Sequence, residues 1–416
     1  MWWWKIKKIE IYPSEIKGSV KICGSKNASL PIIAASLVTS KNTHLTNVPD
    51  IKDIGSLLAV LSKIGTKVSF KNNKLTLHNN TENISLLFDE VKNFRASYYL
   101  MSVFLALFKE VEIYYPGGCS IGSRPIDFHL EGFKTAGCIV EQTENIIRIK
   151  ANELKTFVYR IPRKSMGATV NLMILASKTD GKSIIKNAST EPEIDDLIKY
   201  LNKGHSKVFR KGEDVIIIGS KDVKDTIKHK IIPDRIEAFT YMCIGVNSKK
   251  LTVKNIDIKH LKMPIYFLKN AGANLKIKRN KIMIRKSKLK NINVNSGDYP
   301  SLSTDQMPLL YPLFSRVNGI SNFKEGIFES RFNVCDELRK TKADIKIENN
   351  TVIINGKDEI IGSHLYAKDL RGAASLLIEG IINQSSTIYN LEYLERGYNN
   401  IYKNLKKIGL NFKLYE

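Results

Sequence analysis

Long apolar runs are missing from this chain. The longest, such as Leu100–Phe108, fall far short of the length needed to cross a bilayer. The start, Met1-Trp2-Trp3-Trp4-Lys5, holds no apolar region of signal-peptide length. The aromatic triplet reads as a lead-in to a first strand, with an interfacial membrane contact as the lesser alternative, and the expected compartment is the cytoplasm. Cysteine is scarce. Cys23, Cys119, Cys138, Cys243 and Cys335 make no C-x-x-C pair, which argues against a zinc site and against a disulfide framework. The seven histidines make no H-x-x-x-H pair, so no metal centre is readable and no cofactor is expected. Arginine is rare as well, at 14 of the 65 basic residues.

A length of 416 residues with 43% hydrophobic and 25% charged content indicates a soluble globular protein, long enough for two domains. The net charge of +24 raises nucleic acid as a partner. The lysines, however, are spread along the whole chain among Ile and Asn, and no RNP, zinc-finger or basic-zipper pattern accompanies them. The charge therefore reads as a solvated surface, with no nucleic-acid partner and no membrane span. Against that lysine background each arginine stands out, because its planar fork matches carboxylate and phosphate.

A helix-end pattern recurs six times, from Leu61, Phe133, Leu201, Leu268, Leu338 and Leu405, with starts 72, 68, 67, 70 and 67 residues apart. In four copies the fifth position is glycine (Gly65, Gly137, Gly272, Gly409), which suits a left-handed residue ending a helix. His205 and Lys342 take that place in the other two and should be less comfortable there. A strand and loop precede each copy, so strand, loop, helix, turn and strand repeat about every seventy residues. Two domains of three units each follow naturally from this.

Four segments carry candidate chemistry. Gly24-Ser25-Lys26-Asn27 leads into an apolar helix and puts a cation beside free backbone N–H groups, an anion site or an ordinary helix start. Pro116-Gly117-Gly118-Cys119-Ser120-Ile121-Gly122-Ser123-Arg124-Pro125 is a glycine-rich loop around a cysteine. Nearby cations would lower the Cys119 pKa and make it a nucleophile or proton donor, whereas an idle loop thiol is the alternative. Arg95, Arg371 and Arg396 are anion-binding candidates, each with a surface salt bridge as its rival reading. Asp305, in Ser303-Thr304-Asp305, is either a helix cap or a general base.

Together these segments resemble the enolpyruvyl transferase family along nearly the whole chain. The match runs from Lys26-Asn27 through the Gly117–Pro125 loop, Ser165-Met166-Gly167-Ala168-Thr169, Glu191-Pro192-Glu193-Ile194, Pro233-Asp234-Arg235-Ile236-Glu237, Thr304-Asp305 and Asp369-Leu370-Arg371 to Glu395-Arg396-Gly397-Tyr398. The cysteine loop and the Pro233–Glu237 segment resemble the members that use UDP-N-acetylglucosamine. The sister enzymes that use shikimate 3-phosphate lack that loop.

The resemblance implies an α/β protein, a two-domain inside-out α/β barrel built from six β-α-β-α-β-β units. Residues 25–234 would form one domain, and residues 1–24 with 235–416 the other, with the active site in the cleft between them. It implies transfer of the enolpyruvyl group of phosphoenolpyruvate to the sugar 3′-hydroxyl by addition and elimination, in bacterial peptidoglycan precursor synthesis. Cys119 would be the acid, and Asp305 would receive the hydroxyl proton. Lys26, Arg124 and Arg396 would hold the phosphate. Arg95 and Arg371 would add to the cations around phosphoenolpyruvate, and Asn27 would contact the sugar. Arg124, Pro125, Ile126, Asp127, Phe128 and His129 would border the uridine, and Arg163, Ser165, Met166 and Gly167 the diphosphate. Ile327 and Phe328 would line the sugar-nucleotide pocket. A monomer acting on two small molecules is expected. The chain departs from the family pattern at Ser301-Leu302-Ser303, where Gly-Phe-Pro is usual, at Gln306-Met307, where the order is reversed, and at Met166, where Val is usual. The first two put the backbone support of Asp305 in question.

Overall fold

Several segments carry apolar residues around the whole helix circumference, and such helices have to be enclosed. The computed structural model describes residues 7–82, 84–92, 94–115, 117, 125–328 and 331–416. Trp2, Trp3, Trp4, Cys119 and Arg124 lie outside the described residues. Counting described residues, the chain divides into one compact unit of residues 24–232 and a second of residues 7–23 and 233–416. Each has its own apolar core.

In the first unit the enclosed helices are α1 (Lys26–Thr39), α2 (Tyr99–Phe108) and α3 (Met166–Ser177). In the second they are α4 (Arg235–Gly245), the short α5 (Tyr311–Phe314) with the 3-10 turn Met307–Leu309 ahead of it, and α6 (Leu370–Asn383). α1 is buried from Ala28 to Thr39 and α6 from Leu370 to Ile381. The three inner helices of each unit touch one another. Serine and threonine hydroxyls on them donate to main-chain carbonyls one turn back, Ser29 to Ser25 O, Thr39 to Ala35 O and Thr240 to Ile236 O. An outer helix follows in each repeat with only one buried stripe. Lys52–Lys63 buries Ile54, Leu57, Leu58 and Leu61, at helical spacing.

Sheets cover the inner helices. Each of five repeats has a four-stranded sheet in which one pair is parallel and the remaining neighbours are antiparallel. In the second repeat the sheet has three strands, and a single parallel bridge, Leu86 to Ile113, stands in for the fourth. The chain crossings exchange two strands. Lys224–Lys230 lies parallel to Ser40–Thr46 in the first unit, while Lys17–Lys21 lies parallel to Lys250–Lys254 in the second. The last sheet contains both ends of the described chain, Lys8–Tyr12 against Asn411–Tyr415. Within each unit, then, helices lie inside and sheets outside, as the family resemblance implies.

The helix-end turns separate the copies. Gly65, Gly137, Gly272 and Gly409 have φ of +94°, +90°, +93° and +88°. Lys342 adopts the same left-handed turn at φ +67° despite its Cβ. His205 is not left-handed. That copy turns instead on Asn202, whose side-chain amide donates to Val208 O (2.7 Å) and accepts from Val208 N (2.9 Å).

A second recurrence involves asparagine. Asn47, Asn187, Asn255 and Asn390 each follow the central strand of a repeat with φ between +53° and +61°. Each donates its Nδ2 across the parallel pair, to Ile231 O, Ile161 O, Ile22 O and Ala367 O respectively, at 2.7–2.9 Å. Asparagine tolerates this backbone, and its amide closes the gap left where the parallel ladder ends.

Glu379 on α6 is fully buried, with Asn383 Nδ2 at 3.4 Å from one carboxylate oxygen. Burial pushes its pKa up to about 7, against the opposing effects of Arg316, Thr341 and Asn383. The folded chain keeps a proton that the unfolded chain releases near the ordinary glutamate value. Stability is therefore lost as pH rises from about 4.5 to 7. Glu379→Gln should raise the melting temperature by about 5 °C at pH 8 and by almost nothing at pH 4.5. Melting curves across that range check this, and a constant offset between the two proteins would contradict it.

Candidate active site

In the first unit, Gly24 is needed because a Cβ there would lie 1.7 Å from Asn47 O. This close approach fixes the start of α1. Lys26, the first residue of α1, places Nζ 3.0 Å from Asp53 Oδ2, with both side chains largely buried. Asp53 was not among the residues singled out from the sequence. Asn27 follows in the same turn and is half-buried.

Arg95 opens the 3-10 turn Arg95–Tyr98 ahead of α2, with its guanidinium 5.7 Å from the centre of the Tyr98 ring. Tyr98 meets His129 edge to face at 5.0 Å. Asn171 Nδ2 lies 2.8 Å from His129 Nδ1. With the amide donating, the imidazole proton sits on Nε2. At the start of α3, Ser165 Oγ accepts Ala168 N at 3.3 Å as the helix cap. A Cβ on Gly167 would lie 2.9 Å from His129 Cε1 and 3.0 Å from the Tyr98 hydroxyl, so only glycine lets this turn pack there. Arg95, His129, Ser165 and Gly167 thus belong to one packed patch, with Met166 half-buried beside them. Pro125, Asp127 and Arg163 are exposed, Phe128 is half-buried, and Ile126 is buried. Cys119 and Arg124 fall outside the described residues.

In the second unit, Asp305 lies between two arginines. Arg371 Nε and Nη2 reach Asp305 Oδ2 at 3.1 and 3.0 Å, and Arg331 Nη2 bonds Oδ1. Arg371 stands in the first turn of α6, whose cap Asp369 accepts Arg371 N and Gly372 N at 2.9 and 3.0 Å. Burial works against the Arg371 charge. The Asp305 carboxylate, with Tyr398 and Asp234, outweighs it and holds the guanidinium firmly charged. Arg396 is half-buried, and the following Gly397 packs so closely on Leu370 that a Cβ would sit 2.5 Å from its Cδ2. Tyr398 then places its hydroxyl 3.5 Å from Arg371 Nη1 and 2.8 Å from Thr240 Oγ1. Arg331 is 6% exposed and lies over the Phe328 ring. Sequence reasoning missed it because no glycine or Ala-Ser signature marks it, although Tyr398 lay within a quoted motif.

The unusual segment before Asp305 is internally bonded. Ser303 Oγ donates to Gln306 Oε1 at 3.1 Å, and Gln306 Nε2 reaches Arg235 O at 3.5 Å. Serine at 303 and glutamine at 306 therefore form one hydrogen-bonded pair, while Met307 is fully buried in the core. Thr304 Oγ1 donates to Glu325 Oε2 at 3.0 Å, and Glu325 Oε1 accepts Ile327 N and Phe328 N at 2.9 and 3.4 Å. Ile327 and Phe328 are half-buried.

Burial first, and the Arg95 charge second, push the His129 pKa down to about 3. As pH falls below about 6.5 the unfolded chain gains a proton that the folded chain refuses, so this residue removes stability as pH falls toward 3. Its imidazole resonances should stay those of the neutral ring from pH 5 to 8. A titration midpoint above 5, seen by NMR, would contradict the buried placement.

The family profile described as EPSP synthase (3-phosphoshikimate 1-carboxyvinyltransferase) matches residues 12–405. The chain is 37% identical over 402 residues to a UDP-N-acetylglucosamine 1-carboxyvinyltransferase of Halothermothrix orenii, covering 96% of this chain and 97% of that one. It is 34% identical over 417 residues to the enzyme of the same name from Pelagibacter ubique, covering 98% and 99%. Among solved structures, the enolpyruvyl transferase NikO from Streptomyces tendae superposes with a TM-score of 0.90 at 19% identity, covering 99% of each chain. EPSP synthase from Acinetobacter baumannii gives 0.79 at 19% identity, covering 99% of this chain and 100% of that one. Those likenesses show the fold. The full-length profile match and the identity to the curated relatives add the family, and the chain belongs to the enolpyruvyl transferases.

Proposed function

We propose that this enzyme transfers the enolpyruvyl group of phosphoenolpyruvate to the 3′-hydroxyl of UDP-N-acetylglucosamine and releases phosphate, in bacterial peptidoglycan precursor synthesis. The family and the shared name of its full-length relatives support the reaction. The observation that carries the local chemistry is Asp305 held between Arg331 and Arg371.

Addition of a hydroxyl to C2 and of a proton to C3 needs a base, an acid and cations for a carboxylate and a departing phosphate. In this reading Cys119 is the acid and can also bond to phosphoenolpyruvate. Lys26, Arg124 and Arg396 hold the phosphate, with Arg95 and Arg371 adding to the cations around it. Asn27 contacts the sugar, and the residues from Arg124 to His129, from Arg163 to Gly167, and Ile327 and Phe328 border the nucleotide. Asp305 receives the hydroxyl proton. An arriving phosphate and carboxylate compete with Asp305 for Arg371. The enzyme acts as a monomer in the cytoplasm, where its thiols stay reduced. The described cysteines, Cys23, Cys138, Cys243 and Cys335, are all buried.

The rival acceptor is shikimate 3-phosphate, which the description of the family profile favours. Phosphate release should require phosphoenolpyruvate with UDP-N-acetylglucosamine. Release only with the shikimate acceptor would reverse the assignment, and release with neither would leave an inactive scaffold. Asp305→Asn keeps the shape of the side chain but only one of the two oxygens that the arginines bond, and it removes the charge. It should therefore lower turnover at least about a hundredfold while leaving sugar-nucleotide binding largely intact. Fosfomycin, an epoxide phosphonate, should alkylate Cys119 in the presence of the nucleotide sugar. Cys119→Asp should escape the adduct yet retain turnover, and an unlabelled wild-type thiol by intact mass would remove Cys119 from the acid role.

A further inference from the structure

Glu325 occupies the position directly after its repeat's central strand, Gly319–Lys324, where four other repeats carry a left-handed asparagine. It is 2% exposed. Here the sheet is closed by other groups. Glu325 N donates to Asn350 O at 2.7 Å, Asn350 Nδ2 donates to Glu325 O at 2.8 Å, and Gly326 N donates to Ser296 Oγ at 3.1 Å. The side chain itself takes no part in closing the sheet, its hydrogen bonds going to Thr304, Ile327 and Phe328.

Both carboxylate oxygens are instead committed to the two segments that frame Asp305. One takes the hydroxyl of Thr304, the residue before Asp305, and the other takes the backbone N–H groups of Ile327 and Phe328. The second segment leads on to Arg331, which binds Asp305 from its other side. Burying a carboxylate is costly unless its oxygens are satisfied, and an asparagine serves the sheet in four repeats without that cost. A glutamate here is therefore explained by the reach and charge that these three acceptor contacts require.

We infer that Glu325 is a positioning residue for the reaction proposed above, on which this inference rests. It fixes Asp305 through Thr304 and sets its spacing from the Ile327–Phe328 wall. It touches no substrate atom in this role.

The full-length Thr304→Val and Glu325→Asn variants, and their combination, test it. Glu325→Asn installs the residue the other repeats use, so the fold should survive. Thr304→Val removes one hydroxyl, so it should lower kcat about tenfold while the dissociation constant for UDP-N-acetylglucosamine, by calorimetry, stays within about twofold. Glu325→Asn should lower kcat at least as far and also weaken nucleotide binding, because the wall is released. The double variant should match Glu325→Asn within about twofold, since Thr304 acts through Glu325. Losses that multiply in the double variant, an unchanged kcat in Thr304→Val, or a lowered melting temperature in Glu325→Asn with kcat intact would each overturn the inference. Should the wild-type chain release no phosphate with any acceptor, the functional reading fails separately. Amide exchange at Ile327 and Phe328 then decides the geometry: faster exchange in Glu325→Asn supports it, and unchanged protection overturns it.

Discussion

Enclosure of helices that have no polar stripe is the constraint from which the rest of this structure follows. A helix such as Met166–Ser177, buried from Ala168 onward, gains nothing by lying on a surface. Three such helices packed together still need covering on their outer sides, and sheets with one apolar face supply that cover. Only the helix ends escape the enclosure. It is there that the charged and polar candidates collect: Lys26 on α1, Arg95 ahead of α2, Ser165 to Gly167 on α3, Asp305 ahead of α5 and Arg371 on α6. The positive end of the helix dipole makes such ends suited to anions, a place that Asp369 already takes on α6.

The second unit shows how such an end is kept ready. Arg371 is buried and charged, and Arg331 is buried as well, so both need a counter-charge. Asp305 supplies it. Asp234 and the capping Asp369 stand near Arg371 too, and buried Glu325 stands beside Thr304, so the two guanidiniums sit among several carboxylates in a place where charges interact more strongly than at the surface. The +24 of the whole chain is a different matter, since lysines on exposed sheet faces are screened by salt.

Much of the repeat architecture was legible because helix ends are punctuated by residues with steric reasons to be there. The glycines at 65, 137, 272 and 409 are examples, and Lys342 shows that one copy tolerates a side chain at the same backbone angle. The third copy was misread because an amide, that of Asn202, can replace a left-handed turn. The four strapping asparagines were equally visible as letters, but asparagine is common in this chain and its role depends on a carbonyl far away in sequence. Arg331, Asp53 and Glu325 were hidden for the same reason, each taking its meaning from a partner more than twenty residues off. Ser303 and Gln306 looked like two separate departures from the family pattern. They are one hydrogen-bonded pair, a relation that residue-by-residue reading does not express.

The last sheet pairs the first described strand with the last, Lys8–Tyr12 beside Asn411–Tyr415. During synthesis on the ribosome this arrangement divides the chain in time. Residues 24–232 contain every strand and helix their unit needs, including Lys224–Lys230, so that half is complete once Ile232 has emerged. In the other half Lys17–Lys21 can pair once Lys254 has emerged, whereas Lys8–Tyr12 must wait for Thr387–Tyr389 and Asn411–Tyr415. Among the described strands, Lys8–Tyr12 is thus made early and placed late.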